Sequence, residues 1–237
     1  MKAVILAAGR GERLTPLTDR QPKALIRLSG KPLLEHVINA LREAGVEDFI
    51  LVTGYKGNAI QRYFHDGWRL DVKIRYAYNP FYERGNATSL KAAEKYIGED
   101  EIFLISMADH LFDASMVRKA LKESDKSPLL CVDRDPLYIH KKEEATKVLV
   151  GEDGYIKDIG KRILIWNGVD TGIFLLNPTI FRIIEMAEEK TKPLTLSYCM
   201  KQMIKNHPLW ACDVSGRFWI DVDTLEDLTY ARMVMRT

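Results

Sequence analysis

The sequence predicts an α/β fold in which helices flank a mostly parallel central sheet and a β-rich lobe follows in the second half. In the first half, short apolar runs alternate with helical patterns, which is typical of right-handed βαβ units. In the second half, strand patterns predominate and include a hairpin. The length of 237 residues and the hydrophobic fraction of 46% suit one domain with a sizeable core.

The first half, residues 1–130, alternates strands with helices along the chain. Short apolar or alternating runs predict strands at residues 3–7, 49–53, 72–76 and 102–105. Apolar residues at helical spacing predict helices at residues 33–44, 57–64 and 86–96. Because each helix connects two strands, the strands are expected to lie parallel in one sheet.

The second half, residues 131–237, is expected to be richer in antiparallel structure. The runs 145–150 and 155–159 predict a hairpin, because they flank a loop that begins and ends with glycine. Further strands are expected at residues 129–132 and 172–176, and helices at residues 178–188, 196–206 and 224–235. The boundary between the two halves is soft, so both are assigned to a single domain.

The composition argues against several classes of protein. The net charge is +2 and no run of about five or more basic residues occurs, so a nucleic-acid partner is not expected. Three scattered cysteines without CxxC spacing indicate a reducing compartment and neither a disulfide framework nor a zinc site. Apolar stretches are only strand-length and the N-terminus lacks a signal-peptide layout. We therefore expect a cytoplasmic protein without direct membrane insertion.

The loop after the first strand is the most informative segment of the chain. It reads LAAGRGERLTPLT from Leu6, and PKAL follows at residues 22–25. Gly9 and Gly11 lack a Cβ atom, so their amides can approach an anion, and Arg13 and Lys23 supply cations. The alternative is that the glycines merely form a turn, since the spacing fits neither a dinucleotide fingerprint nor a P-loop.

This string resembles the signature of the sugar-1-phosphate nucleotidyltransferase family, LAAGxGxRLxPLT followed by PKxL. Every signature position is present. The resemblance implies a glycosyltransferase-A-like, Rossmann-like fold and a loop that holds the phosphates of an NTP. The residues implied at these phosphates are Leu6, Ala7, Ala8, Gly9, Gly11, Arg13 and Lys23.

The resemblance also implies a divalent cation, Mg²⁺, at the α-phosphate, and hard Mg²⁺ prefers carboxylate and phosphate oxygens. Asp109 matches the family's metal-binding aspartate after the central strand. Asp221 and Asp223, in WIDVDT, match its late acidic motif, and their i, i+2 spacing directs both carboxylates to one side of an extended segment. Asp223 fits equally well as the N-terminal cap of the following helix.

The loop at residues 79–90 is the candidate segment for recognising the nucleotide base. In the family, such a loop contacts the base through backbone groups and short polar side chains. The residues that suit this role are Asn79, Gly85, Asn86, Thr88 and Ser89. The alternative is a polar loop that caps a helix. The GNxxSL pattern, with MADH at 107–110 and WIDVDT at 219–224, resembles cytidylyltransferases that act on inositol 1-phosphate.

The acceptor site is less clearly marked. Lys161 lies where family members place the lysine of an EKP motif, although the glutamate and proline are absent here. Asp170 and Thr171 are candidates for the polyol pocket, and their alternative role is a turn before the next strand. Lys141, Lys142 and Lys147 are possible helpers at the acceptor phosphate.

The resemblance therefore implies Mg²⁺-dependent transfer of CMP from CTP to inositol 1-phosphate, with release of pyrophosphate and CDP-inositol. Arg13, Lys23 and Asp109 are the implied catalytic residues. One alternative is a sugar-1-phosphate or phosphocholine nucleotidyltransferase, the latter with Tyr138, Trp166 or Trp210 around the choline. Another is a non-catalytic, nucleotide-sensing subunit. Expected partners are CTP, a small phosphorylated polyol, a second copy of the chain in a homodimer, and a separate membrane transferase that receives the product.

Overall fold

A continuous sheet of nine strands forms the centre of the protein. The computed structural model describes residues 1–138, 143–188 and 190–235. Strands β1 to β13 are Lys2–Ala7, Arg27–Leu28, Lys31–Pro32, Asp48–Thr53, Lys73–Tyr78, Phe103–Met107, His110–Phe112, Leu129–Asp133, Lys147–Val150, Ile156–Gly160, Gly168–Leu176, Trp210–Asp213 and Trp219–Asp221. Helices α1 to α8 are Leu17–Arg20, Leu33–Glu43, Gly57–Phe64, Asn86–Ala92, Ala114–Lys122, Thr179–Glu188, Leu196–Met203 and Leu225–Val234.

The sheet combines a parallel half with an antiparallel half. Its path is β10-β9-β11-β6-β1-β4-β5, and β8 pairs with both β11 and β12. Strands β6, β1, β4 and β5 are parallel, whereas β11 runs antiparallel to β6, β8 and β9. The predicted parallel core and the predicted β9–β10 hairpin are both confirmed. The β-rich part extends the same sheet, because β11 pairs directly with β6.

Both faces of the sheet are covered by apolar side chains. Along β1, Ala3, Ile5 and Ala7 pack into the core on one face, and Val4 and Leu6 pack into the core on the other. This alternation explains why the strand is an unbroken apolar run, as expected for a parallel strand with helices on both sides. No helix among the described residues is long and apolar enough to cross a membrane.

A small antiparallel pair outside the main sheet joins two distant segments. Strand β7 pairs with β13 so that His110 lies opposite Asp221, and the backbone amide of Val222 donates to the carbonyl of Asp109 at 3.0 Å. This pairing lies just after the carboxyl end of β6, at the edge of the sheet where ligands bind in open parallel folds. The β7–β13 pairing thus brings the segment that contains Asp109 next to the segment that contains Asp221 and Asp223.

Candidate active site

The loop after β1 is held in shape by contacts that only glycine permits. Gly11 has a φ angle of +69°, and a Cβ atom there would lie 2.9 Å from Cβ and Cδ of Lys23. The carbonyl of Ala8 accepts from the amide of Tyr55 at 2.9 Å, which ties the loop to the end of β4. Glycine at position 11 therefore lets the stem of Lys23 pack directly against the loop.

A cavity of about 430 Å³ opens at the carboxyl ends of the parallel strands. This volume is within the usual range of small-molecule sites. Predicted site residues on its wall are Leu6, Ala7, Ala8, Gly9, Arg13, Lys23, Asn86, Ser89, Asp109, Lys161, Asp170, Asp221 and Asp223. The phosphate loop, the base loop, both acidic segments and part of the predicted acceptor site thus share one cavity.

Asn79 and Thr88 make hydrogen bonds within the base loop and do not line the cavity. Asn79 is 2% exposed, and its amide donates to the hydroxyl oxygens of Thr88 and Ser89 at 3.0 Å each. Its Oδ1 atom accepts from the amide of Phe81 at 2.8 Å. The loop's shape therefore depends on Asn79, and direct contact of Asn79 or Thr88 with a base stays a prediction.

Gly85 and Thr171 also lie outside the wall. Gly85 has a φ angle of +115°, and a Cβ atom there would lie 2.1 Å from the carbonyl oxygen of Leu194. Thr171 is fully buried, and its hydroxyl donates to the carbonyl of Cys131 at 2.9 Å. Gly85 and Thr171 therefore stabilise the local backbone packing, and their contact with substrate stays a prediction.

Two cations and three carboxylates form an ion-pair chain across the cavity. The Lys23 ammonium donates to Asp109 and, at 2.5 Å, to Oδ1 of Asp223. The Arg13 guanidinium donates to Asp223 and, at 2.9 Å, to Glu144. Burial works to lower the pKa of Lys23 and to raise that of Asp223, but these ion pairs outweigh burial in both cases. The pKa of Lys23 is therefore raised and that of Asp223 is lowered to about 2.

The helix cap next to Asp223 is made by its neighbour. The hydroxyl of Thr224 accepts from the amide of Asp227 at 3.2 Å, and the Asp227 carboxylate accepts from the amide of Thr224 at 2.7 Å, so the two form a capping box. The Asp227 carboxylate also accepts from the amide of Asp223 at 3.1 Å. Of the two roles open to Asp223 in the sequence, capping therefore falls to Thr224, and the Asp223 carboxylate faces the cavity.

Asp221 is a half-buried carboxylate for which the described residues supply no lysine or arginine partner. Burial raises its pKa, the nearby carboxylates Asp223 and Asp109 raise it further, and only His110 among neighbouring side chains opposes them. Three carboxylates around one end of a cavity provide the hard oxygen ligands that a divalent cation takes. The described residues hold no preassembled group of three metal ligands. The donor set therefore fits a cation that also takes ligands from a phosphate.

His110 connects this acidic region to the acceptor side of the cavity. Its Nδ1 atom lies 2.8 Å from the carbonyl oxygen of Thr171, and its Nε2 atom lies 3.8 Å from Asp109. A Cβ atom at Gly172 would lie 2.4 Å from Nδ1, so only glycine lets the imidazole sit against β11. Burial lowers the pKa of His110, but Asp109 and Asp221 outweigh this effect and raise it.

The predicted acceptor residues on the cavity wall are a cation and a carboxylate. Lys161 follows β10, and Asp170 lies in β11, where the amide of Gly172 donates to it at 2.7 Å. Burial raises the pKa of Asp170 to about 6. Lys141 and Lys142 lie outside the described residues. Lys147 does not line the cavity, and its ammonium lies 5.9 Å from the ring centroid of Trp166.

Of the aromatic residues considered for a choline cage, only one lines the cavity. Tyr138 is on the wall and packs edge-on against Phe218 at 5.0 Å between ring centroids. Trp166 is not on the wall. Trp210 packs against Tyr155 and donates from Nε1 to Glu123 at 2.8 Å.

Sequence reasoning missed wall residues that carry no motif. Two examples are Glu144 and Tyr82. Glu144 accepts a hydrogen bond from Arg13. The ring of Tyr82 packs against Gly54, where an added Cβ atom would lie 2.7 Å from it. Tyr82 lies inside the segment singled out as the base loop, so its aromatic side chain was an available signal. No local pattern marks Glu144, because its partner Arg13 is 131 positions away.

A family model for nucleotidyl transferases matches residues 2–237. The chain is 38% identical over 230 residues to the bifunctional IPC transferase and DIPP synthase of Aquifex aeolicus, covering 97% of this chain and 50% of that protein. It is 35% identical over 238 residues to the protein of the same name from Thermococcus kodakarensis, covering 100% and 51%. The chain thus spans about half the length of these curated relatives.

Solved structures agree with this match. The inositol-1-phosphate CTP transferase from T. maritima superposes with a TM-score of 0.86 and 30% identity, covering 98% of this chain and 94% of that one. A UDP-glucose pyrophosphorylase complexed with UDP-glucose superposes with a TM-score of 0.84 at 20% identity, a likeness of fold alone. The glycosyltransferase-A-like fold expected from the resemblance is confirmed. Since the family match runs from the first strand to the end of the chain, this protein belongs to the nucleotidyl transferase family.

Proposed function

We propose that the protein transfers CMP from CTP to inositol 1-phosphate, with Mg²⁺, and releases pyrophosphate and CDP-inositol. The observation that carries the proposal is the convergence of Gly9, Arg13, Lys23, Asp109 and Asp221 on one cavity. Relatives at 32–38% identity named IPC transferase, and the solved inositol-1-phosphate CTP transferase, support this choice within the family.

For the nucleotide, backbone amides of the loop at residues 8–11 and the Arg13 guanidinium would hold the triphosphate. The orientation of Asn86 suits cytosine. Its Oδ1 atom accepts from the amide of Leu196 at 2.7 Å, so its NH₂ group is left as the donor, and Asn86 lines the cavity. Cytosine offers acceptors at O2 and N3, whereas uracil carries a proton on N3. We propose that Asn86 contributes to the choice of CTP.

For the acceptor, Lys161 would bind the phosphate and Asp170 would accept hydrogen bonds from hydroxyl groups of the polyol. Both line the same cavity as the phosphate loop. A carboxylate is a strong acceptor for several hydroxyls, which suits a ring that carries a hydroxyl on nearly every carbon. The cavity wall therefore offers complementary chemistry at both ends of inositol 1-phosphate.

The chemistry needs no activating base. A phosphate monoester has a second pKa of about 6, so its oxygens are already largely ionised at neutral pH. The acceptor phosphate attacks the α-phosphorus in line, and pyrophosphate leaves. Arg13 and Lys23 stabilise charge on the phosphates and hold them in line. Asp109, Asp221 and Asp223 would hold Mg²⁺, which supplies further charge neutralisation at the α-phosphate when bound.

We further propose that the protein is cytoplasmic and that a membrane transferase consumes its product. The names of the curated relatives state two activities, and the chain matches about half of each relative. Assembly as a homodimer stays a prediction, and so does the absence of a nucleic-acid partner.

The test is a matrix of CTP, UTP, dTTP and GTP against inositol 1-phosphate, phosphocholine and glucose 1-phosphate, with pyrophosphate release as the readout. We expect CTP with inositol 1-phosphate to give the highest kcat/KM. A preference of more than about tenfold for another pair would replace this substrate assignment with one of the two same-class alternatives. Binding of CTP without turnover in any pair would favour the nucleotide-sensing subunit.

A further inference from the structure

Lys23 pairs with carboxylates that a divalent cation would need as ligands. Its ammonium donates to Asp109 and, at 2.5 Å, to Oδ1 of Asp223, two of the three carboxylates that fit such a cation. The side chain is only 11% exposed. A metal cannot take these oxygens as ligands while the ammonium holds them, because two cations at such short distance repel each other strongly.

The ammonium is placed there by the local fold. Lys23 starts a short 3-10 turn in which the amide of Ile26 donates to the Lys23 carbonyl at 3.0 Å. The stem of the side chain lies against Gly11, where even a methyl group would be within 2.9 Å of it. With the backbone and the stem both fixed, the ammonium is directed at the carboxylates.

The charges of the cavity explain why such a cation is needed. Asp109, Asp221 and Asp223 line the same cavity as Lys23 and Arg13, and these five side chains together carry a net charge of −1 when all are ionised. Without Lys23, the half-buried carboxylates of Asp109 and Asp223 would lose their most buried partner, and a partly desolvated charge without a partner is costly. Such a site would then attract any divalent cation in solution.

We propose that Lys23 is an internal counter-cation that keeps the metal affinity of the nucleotide-free site low. A triphosphate offers the ammonium new oxygen acceptors, so Lys23 leaves the carboxylates, and the metal enters together with the nucleotide. Metal and nucleotide then bind with positive coupling, and each raises the affinity for the other by the same factor. This inference rests on the proposed function in that the second ligand is a nucleoside triphosphate.

The experiment measures Mn²⁺ binding to nucleotide-free protein at neutral pH, with the electron paramagnetic resonance signal of free Mn²⁺ as readout. The test variant is Lys23→Met, which removes the charge and keeps the length of the side chain. The matched control is Lys161→Met. Lys161 lies on the same cavity wall, but the bonds to Asp109 and Asp223 come from Lys23. Lys23→Arg retains the charge and tests rescue.

We expect Lys23→Met to bind Mn²⁺ about tenfold or more tightly than the unmodified protein, since a repelling cation has been removed from the ligands. Lys161→Met should change the affinity by less than about threefold, and Lys23→Arg should keep it low. Adding Asp109→Asn to Lys23→Met should abolish the gain. If Lys23→Met loses its near-ultraviolet circular dichroism signal, Lys23→Gln takes its place in the same titration.

An unchanged or weaker Mn²⁺ affinity in folded Lys23→Met would overturn the proposal, and so would an equal gain in Lys161→Met. These outcomes are independent of turnover. If the unmodified protein converts CTP but Lys23→Met gains no affinity, only the counter-cation proposal fails. If Lys23→Met gains affinity but no substrate pair reacts, only the proposed function fails.

Discussion

At the scale of single residues, the ion pair between Lys23 and Asp109 joins the candidate phosphate site to the candidate metal site. Lys23 and Asp109 are 86 positions apart, and both were identified from short motifs after a strand. Such motifs can be recognised in a sequence because a phosphate loop requires small residues and a metal site requires carboxylates, independently of the rest of the chain. Glu144 was not identified, because an exposed glutamate acquires meaning only from the partner that the fold brings to it.

Replacing Asp109 with alanine should reduce kcat/KM by more than about 1000-fold, because the change removes a metal ligand and a partner of Lys23 together. Lys23→Ala should reduce it by about 100- to 1000-fold. The measurement is steady-state pyrophosphate release. Asp48→Ala is the control, since Asp48 pairs with Arg75 at the amino end of β4, away from the cavity, and should leave turnover near normal. Near-normal turnover of Asp109→Ala would contradict the assignment.

Asp170 should make the stability of the protein depend on pH. Burial raises its pKa to about 6 in the folded state, above the ordinary value of 3.8. The folded state thus holds this proton more tightly than the unfolded chain. The resulting stabilisation is full below about pH 4 and is lost as the pH rises through 6, a difference of about 3 kcal/mol at most.

The variant Asp170→Asn keeps an acceptor for the amide of Gly172 but cannot ionise. It should raise the free energy of unfolding by up to about 3 kcal/mol at pH 8 and change it little at pH 4, as measured by urea denaturation. It should also raise KM for the acceptor if Asp170 binds the polyol. An equal change in stability at both pH values would contradict the raised pKa of Asp170 in the folded state.

At the scale of elements, the pair β7–β13 is what aligns the two acidic segments. Each strand has only three residues, too few to show the two-residue alternation by which strands are identified in a sequence. The pairing exists because β13 returns beside β7 in the fold. Longer elements were predictable, because β1 and β4 are continuous apolar runs and α2 repeats apolar residues at helical spacing.

Two differences from the predicted elements have different physical origins. Strand β11 begins at Gly168, four residues before the predicted strand, since Gly168 and Val169 pair with β9. Helix α5 was not predicted, although Asp113 caps it by accepting from the amide of Ser115 at 2.7 Å and apolar residues recur along it. The first difference depends on a distant partner, whereas the second was readable from the local sequence.

The capping box of α8 should matter for activity as well as stability. Thr224→Ala should lower the free energy of unfolding by about 1 kcal/mol, because the amide of Asp227 loses its acceptor. It should also lower kcat/KM, since Asp227 helps to hold the backbone of Asp223. Asp113→Ala, which removes the cap of α5, is the matched control and should lower stability alone. Equal effects of both variants on kcat/KM would contradict this link.

At the scale of the whole molecule, one cavity gathers residues from nearly the entire chain, from Leu6 to Asp227. The parallel strands supply the phosphate loop and Asp109, and the antiparallel extension supplies Lys161 and Asp170. The fold class was predictable because alternating strands and helices leave few arrangements of the sheet. The pairing of β11 with β6, which brings the acceptor side to the nucleotide side, had no local signal.

These distant segments are expected to act on a single triphosphate. The most direct test is a crystal structure with CTP and Mn²⁺, in which anomalous scattering locates the metal. We predict one nucleotide whose phosphates contact the amide of Gly9 and the side chains of Arg13 and Lys23, with Mn²⁺ bound by Asp109 and Asp221. A nucleotide bound at another surface, or a metal away from both aspartates, would contradict the account.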